Sequence, residues 1–497
     1  MEELDLIQKR KQKIINWMKN PYNLAFLGIL IFAFAIRLYY FILTKTQPLW
    51  WDEAEYMNMA RHWAFGTYYV FDAVRQILFP FIISFFMKIS TTLFFPRVFL
   101  LLLSMASVVG MYYLGKEIYD EKIGLLSAFF MSIFYLNIFF TYRLLVDIHS
   151  LTFFILSALF FYKYLKNNSV KSLYIASALI AIGTLFKLST AFIIPAIFIY
   201  VLITEKLNFL KKKEIWIAAL IFLLILTPYF IWGYFEFNTF VLTKASAHVA
   251  PENYAERLFG GSIDYFKLFP IYFSWFFLII FLLGLASMYK LFLGFDVLIK
   301  QGHKELKRDL FLLLIFLIPL FLVSLMINHN ENRYILNSLS VVMLISGFFI
   351  MRSYDFIKKQ NKFFAILFLI VLLGLTVSFQ LKSTDSLMKL KLNSYAEVRE
   401  AGLFLEGISN KSDIIATNSV PQIKYYAQRE TIQFPAQEEE FESLLLSNEN
   451  IKFYIVSAFE NHPEWAYSYP QKKNLEVVQA YFSDKTQQQP LLIIYKL

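Results

Sequence analysis

Along this chain, apolar residues fall in long runs and polar residues gather in short clusters between them. Eleven runs read as membrane crossings: Leu24–Leu43, Arg97–Gly115, Ile123–Phe140, Ile148–Leu165, Val170–Phe186, Leu188–Thr204, Ile215–Tyr234, Leu268–Phe292, Leu310–Ile327, Tyr334–Met351 and Phe363–Gln380. A helix needs about 20 apolar residues to cross the hydrocarbon. Val170–Thr204 is nearly unbroken and too long for one crossing, so it is split at Lys187, which puts that lysine at a turn. A lysine within a membrane run is expensive and usually has a partner. One more run, ILFPFIISFFMKI (Ile77–Ile89), would reach only about 20 Å as a helix and has a proline near its start.

Charge settles how that short run is used. If it crossed, KLNFLKKKE (Lys206–Glu214) would face outward. If it lies in the interface, the basic N-terminus, Lys116 and Lys122, Lys206–Lys213, Lys300–Arg308 and Lys358–Lys362 all fall on the cytoplasmic side. The positive-inside rule selects the second arrangement, with Ile77–Ile89 as an interfacial helix. The N-terminus is then cytoplasmic and is a retained anchor rather than a cleaved leader. After Gln380 the pattern changes to short apolar runs (DIIAT, IKFYIVSAF, LEVVQAYF, PLLIIYKL) between polar helical stretches. That reads as a small extracytoplasmic α/β domain over residues 381–497, following a polytopic α-helical membrane domain over 1–380.

Composition agrees. The chain is 58% hydrophobic and only 17% charged, too apolar for one soluble domain of 497 residues. Its formal charge of +10 sits in the loop clusters just named, which suits anionic lipid rather than nucleic acid. With no cysteine there is neither a disulfide frame nor a thiolate metal site. No fixed period repeats along the chain, so an inverted-repeat transporter is not suggested.

This topology collects ionisable residues at the outer face. WDEAEY (Trp51–Tyr56) follows the first span at once, and Asp52 and Glu53 open an amphipathic helix behind an interfacial anchor of Trp50 and Trp51. They read equally as a cap complementing the helix dipole or as a general base at a cavity mouth. YRLLVD (Tyr142–Asp147) places Asp147 at the start of the fourth span, with Arg143 four residues earlier as a local partner. His149 just inside that span reads as a satisfied polar residue. Arg75, Lys187 and Arg333 come from three separate outer loops. Each suits snorkelling alone, and together they suit a phosphate, to which Arg offers bidentate contacts and Lys a point charge. His248, with Glu252 four residues on, reads first as a solvated loop histidine and second as a metal ligand.

The order of these motifs resembles the GT-C superfamily of membrane glycosyltransferases, in particular the protein O-mannosyltransferase and aminoarabinose-transferase branch. WDEAEY is similar to that branch's first-loop D-E motif and YRLLVD to its second acidic loop. GTLFKLSTAFIIP (Gly183–Pro195) resembles its L-T-K segment. ENRYILNSLS resembles its R-Y signature, with Asn337 where proline is common, and RQILFP (Arg75–Pro80) stands where a cation precedes Pro-Pro-Leu. The resemblance implies an inverting transfer of a single sugar from a polyprenyl (dolichyl or undecaprenyl) phosphate. The acceptor would be a hydroxyl or phosphate of a protein, glycan or lipid outside the cytoplasm. It implies Asp52 as base, Glu53 as orienter and Asp147 as acceptor-positioning group. Arg75, Lys187, Arg333 and Tyr334 would hold the donor phosphate. A divalent metal is left open, with Glu53 and His248 as its candidate ligands. Two other readings compete: an oligosaccharyltransferase-like enzyme moving a whole lipid-linked glycan, and a transporter or lipid flippase, which would carry its acids near mid-membrane.

Overall fold

The computed structural model describes residues 11–12, 15–249, 254, 257–293, 303–327, 329–482 and 489–497. The membrane part begins with α1 (Pro21–Thr44), α2 (Trp51–Phe65), α3 (Leu78–Ile89), α4 (Phe94–Ile118), α5 (Glu121–Ile133), α6 (Tyr135–Thr141), α7 (Asp147–Asn167) and α8 (Val170–Phe186). A 3₁₀ turn (Leu188–Phe192) leads to α9 (Ile193–Glu205), α10 (Lys213–Phe237), α11 (Val241–Val249), α12 (Ser262–Phe273), α13 (Trp275–Ala286), α14 (Lys304–Met326), α15 (Leu336–Gln360) and α16 (Lys362–Lys391). Among the described residues, eight helical stretches are long and apolar enough to cross a membrane, and nine are if α5 and α6, bent by 54°, form one broken span. Three shorter apolar stretches, Leu78–Ile89, Val170–Phe186 and Trp275–Leu291, fall below that length.

The break between α5 and α6 frees backbone groups that water cannot reach. Residues distant in sequence satisfy them. Arg37 of α1, fully buried, donates to the Ser132 carbonyl at 2.9 Å, to Asn137 Oδ1 at 2.6 Å and to Ser104 Oγ at 2.7 Å. Gln380 of α16 accepts the Tyr135 N–H at 3.0 Å and donates to the Tyr272 carbonyl at 2.9 Å. A helix end buried in an apolar medium needs such partners.

The short run occupies α3, 12 residues and therefore about 18 Å long. Phe79, Ile83 and Met87 are buried on its inner face, packed with α2, while Phe81, Phe85 and Ile89 stand exposed on the other. That is the exposure of a helix lying along a bilayer surface.

Helix α16 runs unbroken past Gln380 to Lys391, and the C-terminal domain starts at α17 (Ala396–Ile408). Its other elements are β1 (Ile414–Thr417), α18 (Val420–Ala427), β2 (Glu430–Ile432), α19 (Glu438–Ser447), β3 (Ile451–Ser457), α20 (Glu464–Lys472), β4 (Glu476–Phe482) and β5 (Pro490–Lys496). The sheet order is β2-β1-β3-β5-β4, parallel across the first three strands and antiparallel across the last two pairings. Val398, Ala401, Leu405 and Ile423 of α17 and α18 pack on Ile415 and Ile455 of one sheet face. Phe441 and Tyr469 of α19 and α20 pack on Ala416 and Tyr454 of the other.

This domain sits on α2. Asn58 Nδ2 donates to the Pro421 carbonyl at 2.9 Å, and the Arg61 guanidinium lies 3.9 Å over the Tyr425 ring and donates to its carbonyl. The Tyr426 hydroxyl accepts the Leu49 N–H at 2.9 Å, and Arg399 donates to the Thr46 carbonyl at 2.6 Å. Arg97 of α4 closes the same turn from below, donating to the carbonyls of Thr44, Lys45 and Gln47. The segment leading into WDEAEY is therefore held on two sides.

Candidate active site

Asp52 lies in the first turn of α2 and is met by two arginines. Arg75 Nη2 reaches Oδ1 at 2.9 Å, and Arg333 Nη2 reaches Oδ2 at 2.9 Å. The Asp52 side chain is 31% exposed, so this junction faces open space. Each arginine holds a second carboxylate. Arg75 bonds Asp72 Oδ2 at 2.6 Å, and Arg333 forms a fork with Glu331 at 2.6 and 3.1 Å. Glu331 also accepts the Tyr334 hydroxyl at 2.9 Å, within reach of His329 at 3.0 Å.

A second ion pair stands beside the first. Lys187 Nζ lies 2.5 Å from Asp147 Oδ1 and 4.8 Å over the Tyr334 ring. Its position follows from local sequence. Helix α8 ends at Lys187, whose N–H bonds back to the Gly183 carbonyl, and the chain turns through Leu188–Phe192. Gly183 permits that turn, because a Cβ there would come 2.6 Å from Thr190 Cγ2 and 2.8 Å from Phe153 Cβ. Thr190 in turn donates to Ser150 Oγ at 2.8 Å, and Asn337 donates to the same oxygen at 3.0 Å. Asn337, at the position where proline is common, thus ties α15 to α7 beneath the site.

Glu53 points the other way. Its side chain is 1% exposed and accepts the Trp50 N–H and the Leu144 N–H, both at 2.6 Å. Arg143 Nη2 stands 2.8 Å away, its guanidinium 3.6 Å over the Trp50 ring. The reach back to Trp50 is the carboxylate half of a capping box. The reach across to Leu144 joins the Asp52 helix to the Asp147 loop.

Two local expectations are corrected here. Arg143 does not pair with Asp147 four residues on, because residues 142–146 form a non-helical turn that sends its side chain back to Glu53. Trp50 is not a lipid-facing anchor. It lies under Arg143 and against Phe139. His149 is fully buried, stacked on Phe186 at 4.3 Å with Phe79 and Phe99 at its edges. Of the expected site residues, Asp52, Arg75, Arg333, Tyr334, Lys187 and Asp147 come together, and Glu53 stands behind them. The His248 backbone belongs to α11, while its side chain and Glu252 lie outside the described residues. Both Glu53 oxygens are taken by N–H donors, and among the described residues no group of three or more His, Asp or Glu could hold a metal ion.

The sequence reading passed over Asp72 and Glu331. The signal was present: each lies two or three residues before an arginine, close enough to bond it.

Electrostatics keep the junction charged. Burial pushes the Asp52 carboxyl up, but Arg333 and Arg75 outweigh it and hold it below the usual carboxylate range. For Glu331, burial is again overcome, here by Arg333 and the Tyr334 hydroxyl. Burial alone would lower both arginines, yet their carboxylates raise them. Glu55, bonded by the Tyr69 hydroxyl at 2.8 Å, is pushed up by burial. Two guanidiniums on the Asp52 carboxylate, with the Lys187–Asp147 pair beside them, can bind a phosphate and leave a carboxylate to take a proton.

Residues 74–232 match the family model described as dolichyl-phosphate-mannose-protein mannosyltransferase. No curated protein matches the chain in sequence. Among solved structures, ArnT from Cupriavidus metallidurans bound to undecaprenyl phosphate is similar with a TM-score of 0.60 at 12% identity, over 94% of this chain and 98% of that one. The apo form of the same protein gives 0.61 at 11% identity, over 95% and 98%. The oligosaccharyltransferase of Archaeoglobus fulgidus, tethered to an acceptor peptide, gives 0.58 at 12% identity, over 89% of this chain and 70% of that one. At these identities the structural likeness speaks for the fold. The chain thus shares the fold of these membrane transferases, and its residues 74–232 are similar to the mannosyltransferase family model.

Proposed function

We propose that this protein moves a single sugar from a polyprenyl phosphate to an acceptor oxygen at the outer membrane face, inverting the anomeric centre. The observation that carries this reading is the meeting of Arg75 and Arg333 on the one carboxylate of Asp52.

A sugar joined to polyprenyl phosphate already has a good leaving group, so no general acid is required. The site has to remove a proton from the acceptor and neutralise the charge growing on the phosphate. In the bonded arrangement Asp52 is a poor base, since both arginines stabilise its ionised form. An arriving phosphate competes for those same guanidiniums. As they turn to it, Asp52 loses its counter-charges and becomes more basic. The acceptor oxygen then bonds to the anomeric carbon while its proton passes to Asp52. The carbon–oxygen bond to phosphate breaks with its electron pair, and Arg75, Arg333 and Lys187 meet the added negative charge. Asp147 holds Lys187 in place, and Glu53 holds the helix that carries Asp52.

The layout supports an enzyme over a transporter. Asp52, Asp147, Lys187 and Arg333 all sit where helices start or stop at one end of the bundle, rather than along their middles. An apolar groove of about 460 Å³ on α10, lined by Phe230, Ile231, Tyr234 and Phe235, offers the prenyl chain a surface nearby.

The test is transfer from radiolabelled polyprenyl-phosphate sugars to membrane extract by purified protein, beside Asp52→Asn. Loss of a general base should lower kcat by about 10²–10⁴-fold with the melting temperature little changed. Because Arg333 and Arg75 hold Asp52 ionised before donor binds, acidifying the donor-free protein from pH 7 to pH 5 should not protonate it. A mutant that matches wild type would remove Asp52 from the chemistry. A broad donor panel left untouched would overturn the reading altogether.

A further inference from the structure

Next to Arg75 the structure opens a cleft of about 530 Å³. One wall is the loop carrying Phe71 and Asp72, and the other is the end of α10 and the start of α11, with Glu236, Phe237 and Lys244. Ala73, Tyr229, Val241 and Ala245 pack together beneath it, and Gly233 lets α11 close on α10. A Cβ at Gly233 would come 2.6 Å from Val241 Cβ.

Three properties of this cleft bear on what it holds. The first is its address. Asp72 bonds Arg75 at 2.6 Å, and Arg75 bonds Asp52 at 2.9 Å, so one guanidinium separates the cleft wall from the base. The second is its aromatic wall. The Phe71 ring is braced edge-on by Tyr69 at 5.2 Å and Trp232 at 5.2 Å, with Trp63 at 5.6 Å, so it is a rigid apolar platform. The third is its charge. Two carboxylates, Asp72 and Glu236, are matched by two cations, Lys244 and the Arg75 bonded to Asp72, so the cleft carries no net charge to draw in an anion.

We propose that this cleft binds the acceptor, and that the acceptor is an uncharged, hydroxyl-rich carbohydrate rather than a lipid phosphate. The inference rests on the transfer reading above for its purpose, though not for its test. Sugar rings lay their C–H faces on aromatic platforms, while their hydroxyls donate to carboxylates and accept from amines. Phe71 and Phe237 supply the faces, Glu236 the main acceptor and Lys244 the donor, while Asp72 offers only the lone pairs left by the Val74 N–H and Arg75. A phosphate would find no net positive charge there, since Arg75 is already committed to Asp72 and Asp52.

The experiment is direct binding to the full-length protein in nanodiscs by saturation-transfer NMR, without donor. The probes are mannohexaose, chitohexaose, mannohexaose 6-phosphate and a Ser/Thr-rich peptide. At least one neutral oligosaccharide should bind, and the phosphorylated one should bind at least tenfold more weakly than mannohexaose. Phe71→Ala and Glu236→Gln should each weaken the neutral oligosaccharide at least fivefold while leaving undecaprenyl phosphate binding unchanged. Glu236 is exposed, so its replacement keeps the test meaningful if Phe71→Ala misfolds. Failure of both neutral sugars to bind, equal or tighter binding of the phosphorylated sugar, or peptide binding lost in these variants would overturn the proposal. Asp52→Asn should bind the oligosaccharide as wild type does. Retained transfer by that mutant would therefore sink the choice of base without touching the cleft.

Discussion

Glu53 is expected to orient Asp52, and a mutant cycle with Arg143 tests how it does so. Both side chains are 1% exposed and stand 2.8 Å apart, and Glu53 also serves the N–H groups of Trp50 and Leu144. Removing one partner of a buried pair leaves an uncompensated charge, at about 3–5 kcal/mol. In Glu53→Ala the two orphaned N–H groups each add to that, by about 1–3 kcal/mol if water cannot reach them. Glu53→Ala should therefore be the worst single change, with Arg143→Met next. The double variant Glu53→Met/Arg143→Met buries no lone charge, so it should cost less than the two singles summed. The coupling should be about 2 kcal/mol or more, as expected for groups sharing one network. Stability would be read by unfolding in mixed micelles, and activity by donor turnover in the same preparations. The reasoning predicts that turnover falls in step with stability, since Glu53 sets where Asp52 stands. It is refuted if Glu53→Ala unfolds within about 1 kcal/mol of wild type yet abolishes transfer, which would mark Glu53 as a chemical participant.

Gly183→Ala should push its methyl into Thr190 and Phe153, and such overpacking costs about 1–3 kcal/mol. Because the same turn aims Lys187, transfer should fall along with the melting temperature. Adding Thr190→Ser, which deletes one clashing methyl but keeps the hydroxyl bonded to Ser150, should recover part of both, since the 2.8 Å approach to Phe153 Cβ remains. Glu460, in the loop between β3 and α20, is pushed up to about 7 by burial. The folded carboxyl then holds its proton where the unfolded one, near 4.5, has lost it. Stability should therefore decline as pH rises from about 4.5 to about 7. Thermal scans of the full chain at pH 5 and pH 7.5 should show the higher melting temperature at pH 5, by a margin that shrinks in Glu460→Gln.

Much of this protein is legible in one dimension, because a bilayer forces it to be. Backbone polar groups inside hydrocarbon must be bonded within their own segment, so each crossing announces itself as an apolar run and each loop as a charge cluster. The apolar helices follow from that rule, whereas the sheet-forming C-terminal stretch is legible from short alternating apolar runs. The gathering of Asp52, Arg75, Asp147, Lys187 and Arg333 at one end of the bundle also follows from the rule. Which of those charges touch was decided only by tertiary structure. Spacing suggested Arg143 for Asp147, since four residues make neighbours on a helix, but the turn at 142–146 is not helical and sends Arg143 to Glu53, ninety residues earlier. Glu53 and Asp52 are adjacent in sequence and sit at the same helix end, yet one is a buried strut and the other an open carboxylate. Side chains one apart on a helix point about 100° from each other, and only the packing of Trp50, Leu144 and Arg143 on one side decides which of them faces the cavity.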